Sequence, residues 1–179
     1  MSLRSWHNTV ANSIREIVFG LEDSLVSTLG TLTGIAAGAG STYIVLLSGL
    51  VLVAVEATSM AAGSYLSSKS AAQADPDARH HASHETPTRA ALVMFCFYLL
   101  GGTVPVVPYL FFPVDQASLV SIGLTGIVLF WVGAWSASYT KRSAWRSGVE
   151  MLLVSFGAAV IGYLIGRWFS SQFGIRVIG

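Results

Sequence analysis

The sequence predicts an all-α membrane protein with five transmembrane helices, and three observations carry that reading. Only 11% of the 179 residues are charged and 53% are hydrophobic, against about 25% charged in an ordinary soluble domain. Apolar runs of about 20 residues recur along the chain, enough to cross a hydrocarbon core about 30 Å thick. Lys and Arg gather in alternate connections, which is the asymmetry of a chain threading a bilayer. The whole chain, 1–179, reads as a single transmembrane domain.

The opening segment has Trp6, Val10, Ile14 and Ile17 spaced by four and three. That pattern suits a short amphipathic helix on the membrane surface, with a frayed terminus as the alternative. The first span is read at 17–37, and 38–41 is a tight turn. A second span follows at about 42–66. The segment 69–89 is polar, with two prolines and three histidines, and forms the one sizeable connection. The remaining spans are read at 90–111, 117–137 and 148–169. Pro105, Pro108 and Pro113 fall late in the third span and should bend or unwind its outer end.

Charge sets the expected orientation. Eight Lys or Arg (Arg4, Arg15, Lys69, Arg79, Arg89, Lys141, Arg142 and Arg146) fall on one side, and two (Arg167 and Arg176) on the other. The N-terminus is therefore expected in the cytoplasm and the C-terminus on the opposite side. Trp145 and Trp168 bracket the last span as interfacial anchors. No secretory signal is read in 1–16. A net charge of +1 gives no footprint for nucleic acid, and the lone Cys96 excludes an intramolecular disulfide framework.

The first span carries the chemistry. Glu22 and Asp23 lie inside it, and a carboxylate within a membrane helix marks an ion or proton path by default. Asp23 precedes Gly30 by seven residues and Gly34 by eleven, so all three lie within roughly 20° of one line on a helix. With Gly38 they form a small-residue stripe that admits a second helix closely. Asp23 therefore faces a helix seam, while Glu22 is about a quarter turn away. In span two, Gly49, Glu56 and Gly63 recur at sevens, placing Glu56 on a similar seam.

Depth ties these groups together. At 1.5 Å per residue, Asp23 and Glu56 both lie about 9 Å inside the cytoplasmic boundary. Met60 follows Glu56 by one turn on the same face, and Glu150 opens span five on the inner side. Two carboxylates with a thioether suit a divalent transition metal better than Mg²⁺ or Ca²⁺. Taken alone, Met60 reads first as core filler and Glu150 as an interfacial acid paired with Arg146. In the polar connection, His80 with His84 and His81 with Glu85 are i,i+4 pairs that would capture first-row metals if helical. The plainer reading there is a flexible connector. No nucleophile–His–acid set lies within the spans, so an enzyme is not expected.

The stretches EIVFGLEDSLVSTLG (span one), SMAAGSYLSSKS (end of span two), PTRAALVMFCFYLLGGTVPVVPYLFF and RSGVEMLLVSFGAAVIGYLIG cover most of the chain. Together they resemble the vacuolar iron transporter family of small five-span divalent-metal carriers. The resemblance implies a homodimer whose first spans line a central path. It also implies Fe²⁺ or Mn²⁺ transport out of the cytoplasm in exchange for protons, the metal being cargo and no cofactor being needed. By motif position, Asp23 and Met60 match metal-binding residues of that path. Ser24 stands where many relatives have Gly, Ser64 where they have Glu, and Glu56 where they commonly have a small residue. The long acidic cytosolic domain of many members is reduced here to 69–89. The expected site is thus Asp23, Met60, Glu56, Glu150 and Glu22 in a multi-pass protein of a cell or organelle membrane. Two other classes are weighed beside it: a non-transporting dimeric scaffold, and a metal sensor built on the His loop.

Overall fold

The computed structural model describes residues 3–74, 86–140 and 143–173. They form six helices: α1 (Leu3–Ala39), α2 (Thr42–Ala74), α3 (Pro87–Val106), α4 (Pro108–Phe111), α5 (Val114–Thr140) and α6 (Ala144–Phe173). Four of them, α2, α3, α5 and α6, are long and apolar enough to cross a membrane. Large apolar side chains such as Leu47, Leu92, Leu119, Ile127, Trp131 and Leu164 point outward. Small and hydroxylated ones turn inward: along α5 the buried line runs Ala117, Ser121, Thr125, Leu129, Gly133, Ala137. Apolar faces outward and small residues inward are what lipid, rather than water, demands of a bundle. The chain is a multi-pass membrane protein.

Helix α1 is the exception that organises the rest. Its 37 residues are less uniformly apolar than the other long helices, and it packs against α2, α3, α5 and α6. Because neighbouring helices cover its faces, it tolerates buried Ser13, Glu16, Ser24, Thr28 and Thr33. The expected separate surface helix before residue 17 is not observed. Trp6, Val10 and Ile14 belong to the same uninterrupted helix as the acids. At 1.5 Å per residue α1 is about 55 Å long and outreaches any hydrocarbon core. Similarly, α2 continues to Ala74, well past the end read for span two, so the connection begins later than expected.

Local chemistry sets the helix ends. Gly40, at φ +62°, takes the left-handed position after α1, and its N–H donates to the Ala36 carbonyl at 3.1 Å. That conformation is open to glycine at little cost, and the turn is confined to 40–41, because Gly38 and Ala39 of the expected 38–41 still belong to α1. The prolines act as expected too. Pro108 has no N–H to continue α3, which stops at Val106 and resumes as the short α4. Beside the break, the buried Ser121 hydroxyl on α5 donates to the Pro105 carbonyl at 2.8 Å.

The glycines reveal the packing. A Cβ on Gly34 would meet the Gly162 carbonyl oxygen at 2.9 Å, and one on Gly162 would lie 1.9 Å from the Gly30 oxygen. Likewise a Cβ on Gly166 would lie 2.0 Å from the Gly34 oxygen. Helices α1 and α6 therefore run parallel in backbone contact, in a register offset of 128 (Gly30 with Ala158, Gly34 with Gly162, Gly38 with Gly166). The second helix that the Gly30–Gly34–Gly38 stripe admits is α6 of the same chain. Small-residue spacing announces a close approach but not which helix makes it. The second expected seam is used in part. Gly49 fits against Leu32 and Val106, whereas Gly63 has open space around it.

Candidate functional site

Glu56 is the meeting point of three helices. The Ser27 hydroxyl of α1 donates to Glu56 Oε2 at 3.0 Å. The Tyr98 hydroxyl of α3 donates to the same oxygen. Ser27 and Tyr98 are themselves 3.0 Å apart. Tyr98 is fully buried and Glu56 half-buried. A carboxylate at the centre of a membrane helix costs about 2.5–3.5 kcal/mol on insertion scales. A hydrogen bond to a charged group contributes about 1.5–3 kcal/mol. Two hydroxyl donors therefore offset much of that cost and explain how an acid persists inside α2.

Asp23 lies one turn before Ser27 on α1 and is half-buried. It is within electrostatic reach of Glu56, and Glu22 is within reach of Asp23. The antiparallel register that sets Ser27 against Glu56 brings Met60, half-buried on α2, to the level of Asp23. Asp23 and Met60 thus share one height along α1 and α2. The α1–α6 register brings Glu150 to the level of Glu22, but on an exposed face of α6. Among the described residues no three His, Cys, Asp or Glu side chains converge. Within one chain, then, Glu22 and Glu150 share the depth expected of them without forming a cluster with Asp23 and Glu56. His80, His81, His84 and Glu85 lie outside the described residues.

Beside this cluster a groove with a cavity of about 790 Å³ runs along α1. Ser27 and Thr31 lie on its wall with Gly30, Gly34 and Gly38, and Ile161 and Ile165 of α6 face them. The groove is almost wholly apolar, and Ser27 belongs both to it and to the hydrogen-bonded triangle at Glu56.

Sequence reasoning missed four residues here. Tyr98 carried a signal: eight residues into span three puts it about 12 Å deep, close to Glu56. Ser27 carried one as well, being four residues after Asp23 on the same face. Glu16 is buried in α1, seven residues before Asp23 and so on nearly the same line. Gly101 explains the serine after the acid. A Cβ there would lie 2.0 Å from Ser24 Oγ, so Ser24 occupies space that glycine leaves on α3.

A helical bundle that turns small and polar groups inward, with acids along one interior seam, is a multi-pass membrane protein with a polar interior. The VIT family model matches residues 14–85 and 72–167, nearly the full length, and the chain belongs to that family. It is 24% identical over 215 aligned positions to vacuolar iron transporter 1 of Oryza sativa subsp. japonica, covering 88% of this chain and 85% of that one. Vacuolar iron transporter 1 of Eucalyptus grandis is 25% identical over 215 positions, 88% and 86% covered. An uncharacterized protein of Methanocaldococcus jannaschii is 25% identical over 186 positions, 94% and 97% covered. An alignment of 215 positions exceeds the 179 residues here, so the plant proteins carry residues for which this chain has no counterpart.

Proposed function

We propose that this protein carries a divalent transition metal, Fe²⁺ or Mn²⁺, out of the cytoplasm in exchange for protons. The observation that carries the reading is the pair of interior acids, Asp23 and Glu56, with Met60 level with Asp23. Membership of the VIT family and relatives that bear the name vacuolar iron transporter support it. Asp23, Glu56 and Met60 hold the ion, and Glu22 and Glu150, at the same depth, are further ligands or proton acceptors. A desolvated carboxylate exchanges a proton for a cation readily, because burial disfavours its bare charge. His80, His81, His84 and Glu85 gather metal at the cytoplasmic entrance.

Topology and assembly belong to the same proposal. Helix α1 is the fifth span, its acids sheltered by the four more apolar ones. The N-terminus is cytoplasmic and the C-terminus lies opposite, as the charge asymmetry supports. Two copies face one another along the groove of α1, closing a central path that Ser27 and Thr31 line. Flux of Fe²⁺ and Mn²⁺ into proteoliposomes, with internal pH recorded, tests the function. Metal uptake accompanied by counterflow of protons supports it, and uptake with no pH change removes the exchange.

A further inference from the structure

Glu56 is not simply an acid facing a seam, because one of its two oxygens is already engaged. The hydroxyls of Ser27 and Tyr98 both donate to Oε2. They come from two different helices, α1 and α3, and Tyr98 is locked in place by complete burial. Its ring sits in α3 three residues before Gly101, where Ser24 of α1 takes the space a Cβ would fill. A ring with no exposed surface has no open space to swing into. Each hydroxyl has one hydrogen, so an ionised Glu56 receives both on the same oxygen. Charge-assisted hydrogen bonds of this kind are short and directional.

We propose that Tyr98, assisted by Ser27, is a positioning residue that pins Glu56 by Oε2 and leaves Oε1 as the oxygen offered to the cation. The inference rests on the transport reading above. Tyr98 does not touch the metal. It fixes the rotamer of the side chain that does, and it brings α3 into a site otherwise built by α1 and α2. Without it, Glu56 samples other rotamers and binding costs more ordering entropy.

The test is a double-mutant cycle read by Mn²⁺ binding to the full-length protein in detergent and by Mn²⁺ flux in proteoliposomes. Tyr98→Phe keeps the ring and removes the hydroxyl. It should weaken Mn²⁺ binding roughly tenfold, the worth of one charge-assisted hydrogen bond, while maximal flux changes less than about twofold. In the Glu56→Gln background, where Asp23 and Met60 still hold the ion weakly, Tyr98→Phe should add no further loss. Ser27→Ala should act in the same direction and also be silent beside Glu56→Gln, and it carries the test if Tyr98→Phe does not fold. Equal losses in the two backgrounds, or unchanged Mn²⁺ affinity in the Tyr98→Phe protein, would overturn the proposal. Asp23→Asn run in parallel separates the two levels. Abolished flux in that variant with an additive cycle removes only the positioning role, whereas normal flux removes the transport reading beneath it.

Discussion

Gly162 of α6 lies so close to Gly30 of α1 that a Cβ on Gly162 would fall 1.9 Å from the Gly30 carbonyl oxygen. This contact sets the height of the residues that precede it on α1. It fixes α1 against α6, and α1 in turn presents Ser27 to Glu56 of α2 and Tyr98 of α3.

The first prediction concerns that contact. Gly162→Val must push two backbones apart, and overpacking of this kind costs about 1–3 kcal/mol. Its melting temperature in detergent should fall clearly. Gly157 on the same helix is exposed with nothing within 4 Å of an added Cβ, so Gly157→Ala should match or exceed the parent. Equal stability of the two variants would contradict the packing.

A second prediction addresses assembly. Because the glycine stripe is occupied by α6, Gly34→Leu would disturb the single chain and says nothing specific about a second copy. The groove wall is the better probe. Thr31→Cys in a Cys96→Ala background should cross-link two copies into a dimer on oxidation, since Thr31 faces the groove. Cys96 is exposed on α3, and as the one native thiol it must be removed first. A monomer under all oxidising conditions would move the interface elsewhere.

Much of the architecture was legible because lipid imposes a plain rule. Helices α2, α3, α5 and α6 expose Leu, Ile, Val and Trp over about 20 residues, and runs of that length and polarity belong to a bilayer. The turn at Gly40 and the break at Pro108 were legible for equally local reasons. Pairwise choices were not. Ala158, Gly162 and Gly166 repeat at fours just as Gly30, Gly34 and Gly38 do, yet spacing alone does not say which stripes meet. At the site, depth and face set Asp23 and Glu56 at one level, whereas the hydrogen bond from Ser27 sets Glu56 one turn beyond Asp23. The donors that hold Glu56 were within reach of the same depth-and-face argument, but a tyrosine in an apolar run reads first as core.

The third prediction concerns metal choice. Met60→Leu keeps the bulk and loses the sulfur, so transport of Fe²⁺ and Mn²⁺ relative to Mg²⁺ should fall more than total transport does. Competition uptake in proteoliposomes reads the ratio. An unchanged ratio would return Met60 to packing.

The loop gives a fourth. Replacing His80, His81 and His84 with Ala should raise the half-saturating metal concentration and spare the maximal rate, as loss of a capture site should. Unchanged kinetics would make the segment a connector.

A fifth concerns topology. In the Cys96→Ala background, cysteines at Ser41 and Ser171 should react with impermeant reagent from outside, and one at Ser70 from the cytoplasmic side. Labelling of Ser41 from the cytoplasm would invert the orientation drawn from charge.

The transport mechanism turns on Asp23 of α1 carrying the metal. Asp23→Asn preserves the shape and the helix seam but removes the charge. Flux of Mn²⁺ and Fe²⁺ into proteoliposomes, recorded with internal pH, measures the consequence directly. Metal uptake and proton counterflow should both vanish while the variant elutes and melts like the parent. Normal uptake by Asp23→Asn would contradict the mechanism.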